Sequence, residues 1–471
     1  MLFYDATCIA LTSVVLIAYL VSEQNSTRLK ILLLGSIVFY SVSGPAYLIL
    51  LVVLILINFS IGKLIANLND TLANRWLVFI VVLNLTNLFS FKYTGFVAEQ
   101  IGLTGIVGVS EGALRFVLPA GISFYTFQLI AYQVDLKRRI IAPSKNIFEF
   151  ATFVLFFPQL IAGPIMRGQE FFGQLRELNN PTVDDLRAGV GRFLLGFIKK
   201  VVIVNSLVAP QVDSMFGNLN TLTATEIWIA TFLFGFQIYL DFSGYCDMAI
   251  GIARLFGLRL RENFRTPYLA CSPAEFWKRW NITLSEWIRD YVYIPLGGGH
   301  GSFARTTLNA FAAMLLCGVW HGAAWGFIIW GGVHGLIIFG GKILSRIGTK
   351  FKALPRFRLL IGWALTFVAV QAAWFFFRVT SPNEIMATLP KLFVYSEYKI
   401  SDANVVTIFL ILVLLGAHMI ENRILRNASI VKDVWITLPA PMRGMVCAIF
   451  MIVLLPFLLS GNDAPFLYFR F

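Results

Sequence analysis

Charged residues are scarce in this sequence. They make up 13% of its 471 residues, whereas about a quarter of the residues in a soluble domain are charged. Hydrophobic residues make up 58%, and the mean hydropathy is +0.76. A soluble core of this length cannot account for so few charges. The composition therefore excludes an ordinary soluble enzyme and predicts a polytopic membrane protein.

Cysteine is also rare, and the spacing of the cysteines does not suit disulfide formation or metal binding. The five cysteines are odd in number, lie far apart and include no Cys-x-x-Cys pair. This pattern supports neither a disulfide framework nor a zinc site, so we expect no metal and no bound cofactor. Most of them lie in apolar runs, where small side chains commonly pack. They are Cys8, Cys246, Cys271, Cys317 and Cys447.

Basic residues outnumber acidic ones, and the excess lies in loops. The net charge is +13, from 38 Lys and Arg against 25 Asp and Glu. Such a balance can indicate nucleic acid or an anionic substrate, but basic loops between apolar runs are typical of the cytoplasmic side of membrane proteins. We expect a lipid membrane as partner and no nucleic acid. The densest clusters are Lys137, Arg138, Arg139 and Lys145, and Lys342, Arg346, Lys350, Lys352, Arg356 and Arg358.

The apolar runs predict an all-α polytopic membrane protein with about ten to twelve transmembrane helices and one or two re-entrant or interfacial helices. The N-terminus lacks a basic region and a cleavage signature, so the first run is expected to remain as a helix. Asp5 before it, with Arg28 and Lys30 after it, places the N-terminus outside the cytoplasm. No soluble segment, repeat or low-complexity tract interrupts the chain, which predicts a single domain over 1–471. The runs lie near 8–21, 31–43, 45–66, 76–91, 116–135, 147–166, 190–210, 226–256, 305–325, 325–342, 358–378, 403–420 and 441–460.

Residues 272–291, SPAEFWKRWNITLSEWIRDY, predict a helix with two unlike faces. Ser272, Pro273 and Glu275 form a capping box with proline in the first turn. Large apolar residues then recur every three or four positions, and the charged residues lie elsewhere on the helix. A helix with about six charges cannot cross lipid unaided, so we expect it at the membrane interface or in a protein-lined cavity.

Two of only four histidines, His321 and His334, lie in the apolar stretch LLCGVWHGAAWGFIIWGGVHG at 315–335. Burying histidine in a membrane is costly, and imidazole can take a proton from a hydroxyl, so His321 is a candidate general base. On one straight helix their spacing separates them by about 220°, which places them on opposite sides and argues against a metal pair. Gly331 and Gly332 could bend the segment and bring His334 back. Otherwise His334 supports the site or packs.

Three more polar side chains in apolar runs are candidates for a supporting role. Cys317 lies one turn before His321, which fits a helix-packing residue or, alternatively, a Cys-His dyad that forms a covalent acyl-enzyme. Asp241 and Tyr245 share one helix face and could bond to each other. They fit a structural polar pair between helices or, alternatively, the lining of a wet substrate path.

Several longer blocks share one resemblance. The block ENFRTPYLACSPAEFWKRWNITLSEWIRDYVYIPLGGG at 262–299 is long and specific, and DFSGYCDMAIGIARLFG and GVWHGAAWGFIIWGGVHG lie on either side of it. GISFYTFQLIAYQVD and FFPQLIAGPIMR precede these blocks, and PFLYFRF ends the chain. In this order they resemble the membrane-bound O-acyltransferase family, in its alginate O-acetyltransferase branch.

The resemblance implies a ring of tilted transmembrane helices around a central funnel, with 116–342 as the catalytic core region. The histidine of the family's Trp-His-Gly motif, here His321, is implied to be the essential base on the acceptor hydroxyl. Trp320 and His334 are expected to support it. Many bacterial members carry histidine at the position of Asn281, but eukaryotic members carry asparagine there as the second active-site residue. The resemblance therefore implies that Asn281 is catalytic.

The implied reaction moves an acyl group, which we expect to be acetyl, from a cytoplasmic thioester such as acetyl-CoA to an extracytoplasmic polysaccharide. Lys278, Arg279 and Arg265 lie near Asn281 in sequence and are expected to contact the donor's phosphates, although ordinary positive-inside charge explains them equally well.

Relatives imply a bacterial inner-membrane location, a periplasmic partner that completes transfer, and alginate, cellulose, peptidoglycan or another exopolysaccharide as acceptor. Three alternatives remain. One is D-alanyl transfer to teichoic acid within the same family. Another, of a different class, is a proton-coupled transporter or flippase that uses Asp241, Asp247 and His321. The third is a scaffold subunit without catalysis, which would tolerate loss of His321.

Overall fold

Every regular element in the computed structural model is helical. The structure describes residues 3–102, 118–348, 355–394 and 401–426, and a few isolated positions beyond these, among them Leu467. Within this part of the chain there is no β-strand, which confirms the predicted all-α polytopic fold. Eight of its helices are long and apolar enough to cross a membrane. They are Pro45–Asn67, Asp70–Lys92, Val183–Gly217, Ala224–Leu255, Phe303–His321, Trp325–Arg346, Phe357–Arg378 and Asn404–Ile424.

The chain forms two compact units and passes between them several times. The first unit comprises Met1–Gly196, Tyr245–Glu262 and Glu286–Pro295. The second comprises Phe197–Gly244, Asn263–Ser285 and Leu296–Phe471. The single domain expected over 1–471, the count of ten to twelve crossings and the ring around a funnel stay predictions.

Nine helices among the described residues belong to the first unit alone. Buried amides join three of them: Asn58 and Asn84 exchange hydrogen bonds of 3.2 and 3.0 Å, and Gln133 donates to the Asn58 carbonyl at 2.7 Å. Each amide offsets the cost of burying the others. The helices are α1 (Ala6–Val21), α2 (Asn25–Ser41), α3 (Pro45–Asn67), α4 (Asp70–Lys92), α5 (Thr94–Gln100), α6 (Ile122–Lys137), α7 (Ile147–Leu155), α8 (Phe157–Leu160) and α9 (Gly168–Arg176).

The span predicted over 147–166 is wrong. Helix α7 ends at Leu155, and Phe156 has ψ 106°, outside the helical region. Pro158, in the first turn of α8, lacks an N–H and cannot continue the hydrogen bonding of α7. A nine-residue helix is about 14 Å long, too short to cross a bilayer. The other predicted runs lie on helices of similar extent, except 441–460, which lies outside the described ranges.

The second unit contains most of the helices that follow residue 262. Three helices, α10, α11 and α13, are divided between the two units. The first of these, α10, contains a π-helical segment, Ile198–Val208, a distortion often found at functional sites. The segment carries Lys200, which pairs with Asp241 at 2.7 Å with both side chains buried. The helices are α10 (Val183–Gly217), α11 (Ala224–Leu255), α12 (Pro273–Trp277), α13 (Ile282–Ile288), α14 (Phe303–His321), α15 (Trp325–Gly348), α16 (Pro355–Arg378), α17 (Pro382–Thr388) and α18 (Asp402–Arg426).

Candidate active site

Helix α14 ends at His321, and the chain turns back directly after it. Gly322 has an extended backbone with φ −173°, and α15 begins at Trp325. The straight helix used to place His321 and His334 on opposite sides is therefore wrong. The alternative bend at residues 331–332 is wrong as well, because α15 runs through both glycines without interruption. The two histidines lie on the two arms of a helical hairpin.

The two helices of this hairpin touch backbone to backbone. A Cβ on Gly318 would lie 2.3 Å from the carbonyl oxygen of Phe327, and a Cβ on Gly331 would lie 2.6 Å from that of Met314. No side chain fits at these distances, so glycine at both positions allows the helices to approach this closely. The spacing of α14 and α15, and with it the position of His321, depends on these two glycines.

We expect Gly331→Ala to reduce acyl transfer at least tenfold. The added methyl group would force the hairpin apart at an overpacking cost of about 1–3 kcal/mol. The matched control is Gly332→Ala, where the nearest atom to a new Cβ, on Phe311, lies 3.9 Å away. Transfer rate and melting temperature measured on both variants check the prediction, which fails if the two variants behave alike.

Three aromatic rings surround His321. The ring centroids of Trp320 and Trp330 each lie 4.9 Å from the centroid of its imidazole, and that of Phe377 lies 5.0 Å away. His321 is 5% exposed, so these rings largely exclude water from it. The C-terminal end of α14 stabilises positive charge there through its helix dipole. A proton taken up by this imidazole is therefore held next to a favourable backbone field.

His334 lies one turn beyond Trp330 on α15 and is fully buried. Its imidazole centroid lies 4.6 Å from that of Trp330 and 5.1 Å from that of Trp277. Neither of its ring nitrogens makes a hydrogen bond within the described ranges. Trp330 thus contacts both histidines, and the hairpin brings His334 to the aromatic environment of His321.

The helix predicted over 272–291 is wrong, because the segment forms two short helices with a break between them. The N-cap half of the capping box is confirmed, since Ser272 Oγ accepts the N–H of Glu275 at 3.2 Å. The Glu275 carboxylate accepts the N–H of Cys271 at 2.7 Å in place of that of Ser272. The first helix, α12, ends at Trp277, and α13 begins at Ile282. The break contains Asn281 with φ +39°, a left-handed conformation that asparagine tolerates better than most residues.

The side chain of Asn281 is buried without a hydrogen bond. The residue is 1% exposed. Within the described part of the chain, neither Oδ1 nor Nδ2 of its amide has a hydrogen-bond partner. Leaving a buried amide unsatisfied costs about 1–3 kcal/mol, and most proteins avoid it. A strained backbone that presents an unused donor and acceptor is typical of a functional position.

A chain of tryptophan rings connects the break at Asn281 with His321. Trp280 lies 4.8 Å from Trp374 of α16, measured between ring centroids. Trp374 lies 5.8 Å from Trp330, which contacts His321. Four segments of the second unit, which lie far apart in the sequence, therefore contribute to one aromatic cluster.

The predicted supporting residues Asp241 and Tyr245 have partners other than each other. The carboxylate of Asp241 pairs with Lys200, and its Oδ2 accepts the backbone N–H of Leu467 at 2.8 Å. The ring of Tyr245 lies 4.7 Å from that of Phe3 between centroids, and the two rings are tilted by 32°. The possible bond between Asp241 and Tyr245 stays a prediction, and Asp241 forms a buried ion pair with Lys200.

Cys317 is buried one turn before His321 on α14. Its surroundings leave open both the helix-packing and the dyad interpretation. Among the described residues, no three His, Cys, Asp or Glu side chains are grouped so that they could hold a metal ion.

The three predicted donor-binding residues differ in their availability. Lys278 and Arg265 are exposed, whereas Arg279 is half-buried and forms an ion pair with Glu275. The guanidinium of Arg279 also donates to the carbonyl of Thr266 at 3.4 Å. Arg279 is thus committed to the protein, and Lys278 and Arg265 are the better candidates for an anionic ligand.

A polar cluster in the first unit was missed because its members lie far apart in sequence. Tyr291 donates its hydroxyl to Asp135 at 2.8 Å, and Asp290 receives hydrogen bonds from Arg167 and Arg289. Partial burial opposes the charge on Asp290, but the two arginines outweigh it and lower the pKa of that carboxyl. Asp290 therefore stays ionised at neutral pH and holds both arginines.

A second group of charged side chains that the sequence did not reveal includes His418. It lies buried on α18 beside Glu421, which pairs with Lys199 at 2.6 Å. The predicted run 403–420 stops just before Glu421, so the available signal was a carboxylate at the end of an apolar run.

Comparison with known proteins shows the family of this chain. A model of the membrane-bound O-acyltransferase family matches residues 137–381, more than half of the chain, and this match includes both Asn281 and His321.

Several named relatives cover most of the chain. It is 36% identical over 426 residues to the probable alginate O-acetylase AlgI of Pseudomonas aeruginosa, across 87% of this chain and 80% of that protein. It is 35% identical over 386 residues to the peptidoglycan O-acetyltransferase of Helicobacter pylori, across 76% and 72%. The teichoic acid D-alanyltransferase of Bacillus subtilis is 27% identical over 278 residues, across 55% and 68%. The chain therefore belongs to the membrane-bound O-acyltransferase family and is a multi-pass membrane acyltransferase.

Proposed function

We propose that this chain transfers acetyl from a cytoplasmic thioester across the bacterial inner membrane to hydroxyl groups of an extracytoplasmic polysaccharide. The relatives with higher identity and coverage are named for O-acetylation of alginate or peptidoglycan, and the D-alanyl relative matches less of the chain. Alginate, cellulose, peptidoglycan and other exopolysaccharides are the acceptor class. Acetyl-CoA is the proposed donor, acting as a substrate and not as a resident cofactor.

One observation carries the assignment of the site. The side-chain amide of Asn281 is buried without a hydrogen bond, and its backbone is held at φ +39°. The neighbouring Trp280 belongs to the aromatic cluster that contains His321. Acyl transfer needs a base for the hydroxyl nucleophile and a donor for the oxyanion. Imidazole supplies the first, and an unpaired amide N–H supplies the second.

The proposed reaction is a direct transfer. The Nε2 or Nδ1 atom of His321 takes the proton of the acceptor hydroxyl as its oxygen attacks the thioester carbonyl. The carbonyl oxygen becomes an oxyanion, to which Asn281 donates a hydrogen bond. When the carbonyl re-forms, the carbon–sulfur bond breaks, and the imidazolium returns its proton to the departing thiolate. Trp320 holds the orientation of the His321 imidazole by direct contact, and His334 does so through Trp330. A covalent intermediate on Cys317 is the alternative route.

The donor's phosphates would meet positive charge close to the break at Asn281. Lys278 and Arg265 are exposed and carry that charge. Lys278 lies at the start of the break, and the Arg265 N–H donates to the carbonyl of Arg279 at 2.9 Å. A periplasmic partner protein would complete transfer to the polymer.

Membranes that contain the full-length chain test the choice of acyl group. We expect acetyl label from acetyl-CoA to appear as a base-labile ester on polysaccharide, and we expect no incorporation from a D-alanyl carrier protein. Incorporation of D-alanine alone would favour the teichoic acid reaction. Movement of intact acetyl-CoA without ester formation would favour a transporter.

A further inference from the structure

A buried ion pair lies on α18 in the second unit, within a helix long enough to span the membrane. Glu421 accepts from Lys199 Nζ at 2.6 Å and from the hydroxyl of Tyr239 at 2.9 Å. The Lys199 side chain is only 8% exposed. Burying two charges costs several kcal/mol that the attraction between them only partly returns, so stability alone is a weak explanation for this pair.

His418 connects this ion pair to a loop. Its Nε2 lies 3.3 Å from the backbone nitrogen of Tyr268 and accepts that N–H. Its Nδ1 lies 3.3 Å from Glu421 Oε2. Because Nε2 acts as an acceptor, the proton of the neutral ring is on Nδ1, which faces the carboxylate. The Glu421 carboxylate therefore attracts the imidazole that holds Tyr268 by its charge, without a regular hydrogen bond to Nδ1.

The next residue of α18 holds a strained position of the same loop. Asn422 Oδ1 accepts the hydroxyl of Thr266 at 3.0 Å. Thr266 has φ +45°, which is unfavourable for a β-branched residue and costs about 1–3 kcal/mol. His418, Glu421 and Asn422 recur at helical spacing, so one face of α18 fixes residues 266–268.

This loop in turn forms backbone hydrogen bonds on both sides of the break at Asn281. On one side, the Arg265 N–H donates to the carbonyl of Arg279 at 2.9 Å. On the other side, the Asn263 carbonyl accepts the N–H of Ile282 at 2.9 Å.

Asn263 also caps the N-terminus of α13 with its side chain. The side-chain oxygen of Asn263 accepts the hydroxyl of Thr283 at 2.6 Å and its N–H at 3.2 Å. The left-handed conformation of Asn281 is thus fixed by a loop that α18 holds.

We propose that His418, Glu421 and Lys199 are positioning residues that act through the loop 263–269 to hold the Asn281 amide in place for acyl transfer. This inference rests on the proposed function of Asn281. It assigns a role to the fourth histidine without placing it in contact with substrate.

The test begins with His418→Phe, which removes the acceptor for the Tyr268 N–H but keeps a ring against Tyr239, whose centroid lies 4.8 Å away. We expect kcat for acetyl transfer from acetyl-CoA to fall about tenfold or more, with KM for acetyl-CoA changed less than twofold. His418→Gln restores an acceptor and is expected to recover most of the rate. As a matched control, Glu149→Gln removes a buried carboxylate of the first unit, where Glu149 pairs with Arg176. We expect it to leave kcat within twofold.

A double-mutant cycle with Asn281→Gly separates positioning from general destabilisation. If His418 acts through the Asn281 amide, the double variant has the same kcat as Asn281→Gly alone. Fold losses that multiply would overturn the positioning role and leave the function of Asn281 intact. A full-rate Asn281→Gly would instead contradict the proposed function of Asn281, and the inference with it. If His418→Phe does not reach the membrane, Glu421→Gln keeps the side-chain volume and serves in the same cycle.

Discussion

Replacing His321 by alanine is expected to lower acyl transfer by about 100- to 10,000-fold, the range typical for loss of a general base. The rings described around His321 are those of Trp320, Trp330 and Phe377, and none of these three can take the proton of the acceptor hydroxyl. The loss should be in kcat, since the imidazole acts on the nucleophile and not on the donor.

A second histidine provides the control for this result. His300 lies exposed in the glycine-rich turn before α14, and His300→Ala removes an imidazole from the same unit without touching the aromatic cluster. Rates per amount of full-length protein in the membrane, measured for both variants, check the prediction. More than a tenth of the wild-type rate in His321→Ala would rule out its role as the base.

Asn281→Gly is expected to reduce kcat by about 100- to 1,000-fold, as for removal of an oxyanion donor. This substitution removes the side-chain amide. Because glycine adopts positive φ freely, the backbone can keep its φ of +39° without strain. The loss should therefore come with little change in melting temperature.

Asn281→Ala gives the comparison that isolates the backbone. Alanine in the left-handed region costs about 1–2 kcal/mol, so this variant should melt below Asn281→Gly while losing at least as much activity. Normal activity in Asn281→Gly with a loss in Asn281→Ala would mean that the position serves the backbone turn only. That outcome would exclude the amide from the chemistry.

The sequence predicted the parts of this molecule that depend on composition and local pattern. Few charges and long apolar runs are enough to indicate a membrane-spanning helical protein. His321 could be selected because a histidine in an apolar run needs a reason to be there. The N-cap at Ser272 follows from a local rule and is found as predicted.

Other features depend on contacts between distant residues, and periodicity does not report them. The helix predicted over 272–291 had good spacing, but loop contacts from Asn263 and Arg265 stop it at Asn281. The turn after His321 was missed because Gly322 is one glycine among several in that stretch. His418 also lies in an apolar run, but the sequence does not show its contacts with Tyr268 and Glu421.

Acyl transfer across the membrane is tested most directly with labelled acetyl-CoA sealed inside membrane vesicles that carry the full-length chain in its native orientation. The predicted result is acetyl ester on polysaccharide outside, with wild type and His300→Ala alike and with His321→Ala near background. Equal ester formation in His321→Ala, or intact acetyl-CoA outside without ester, would contradict the assignment of this chain as an acyltransferase that uses His321.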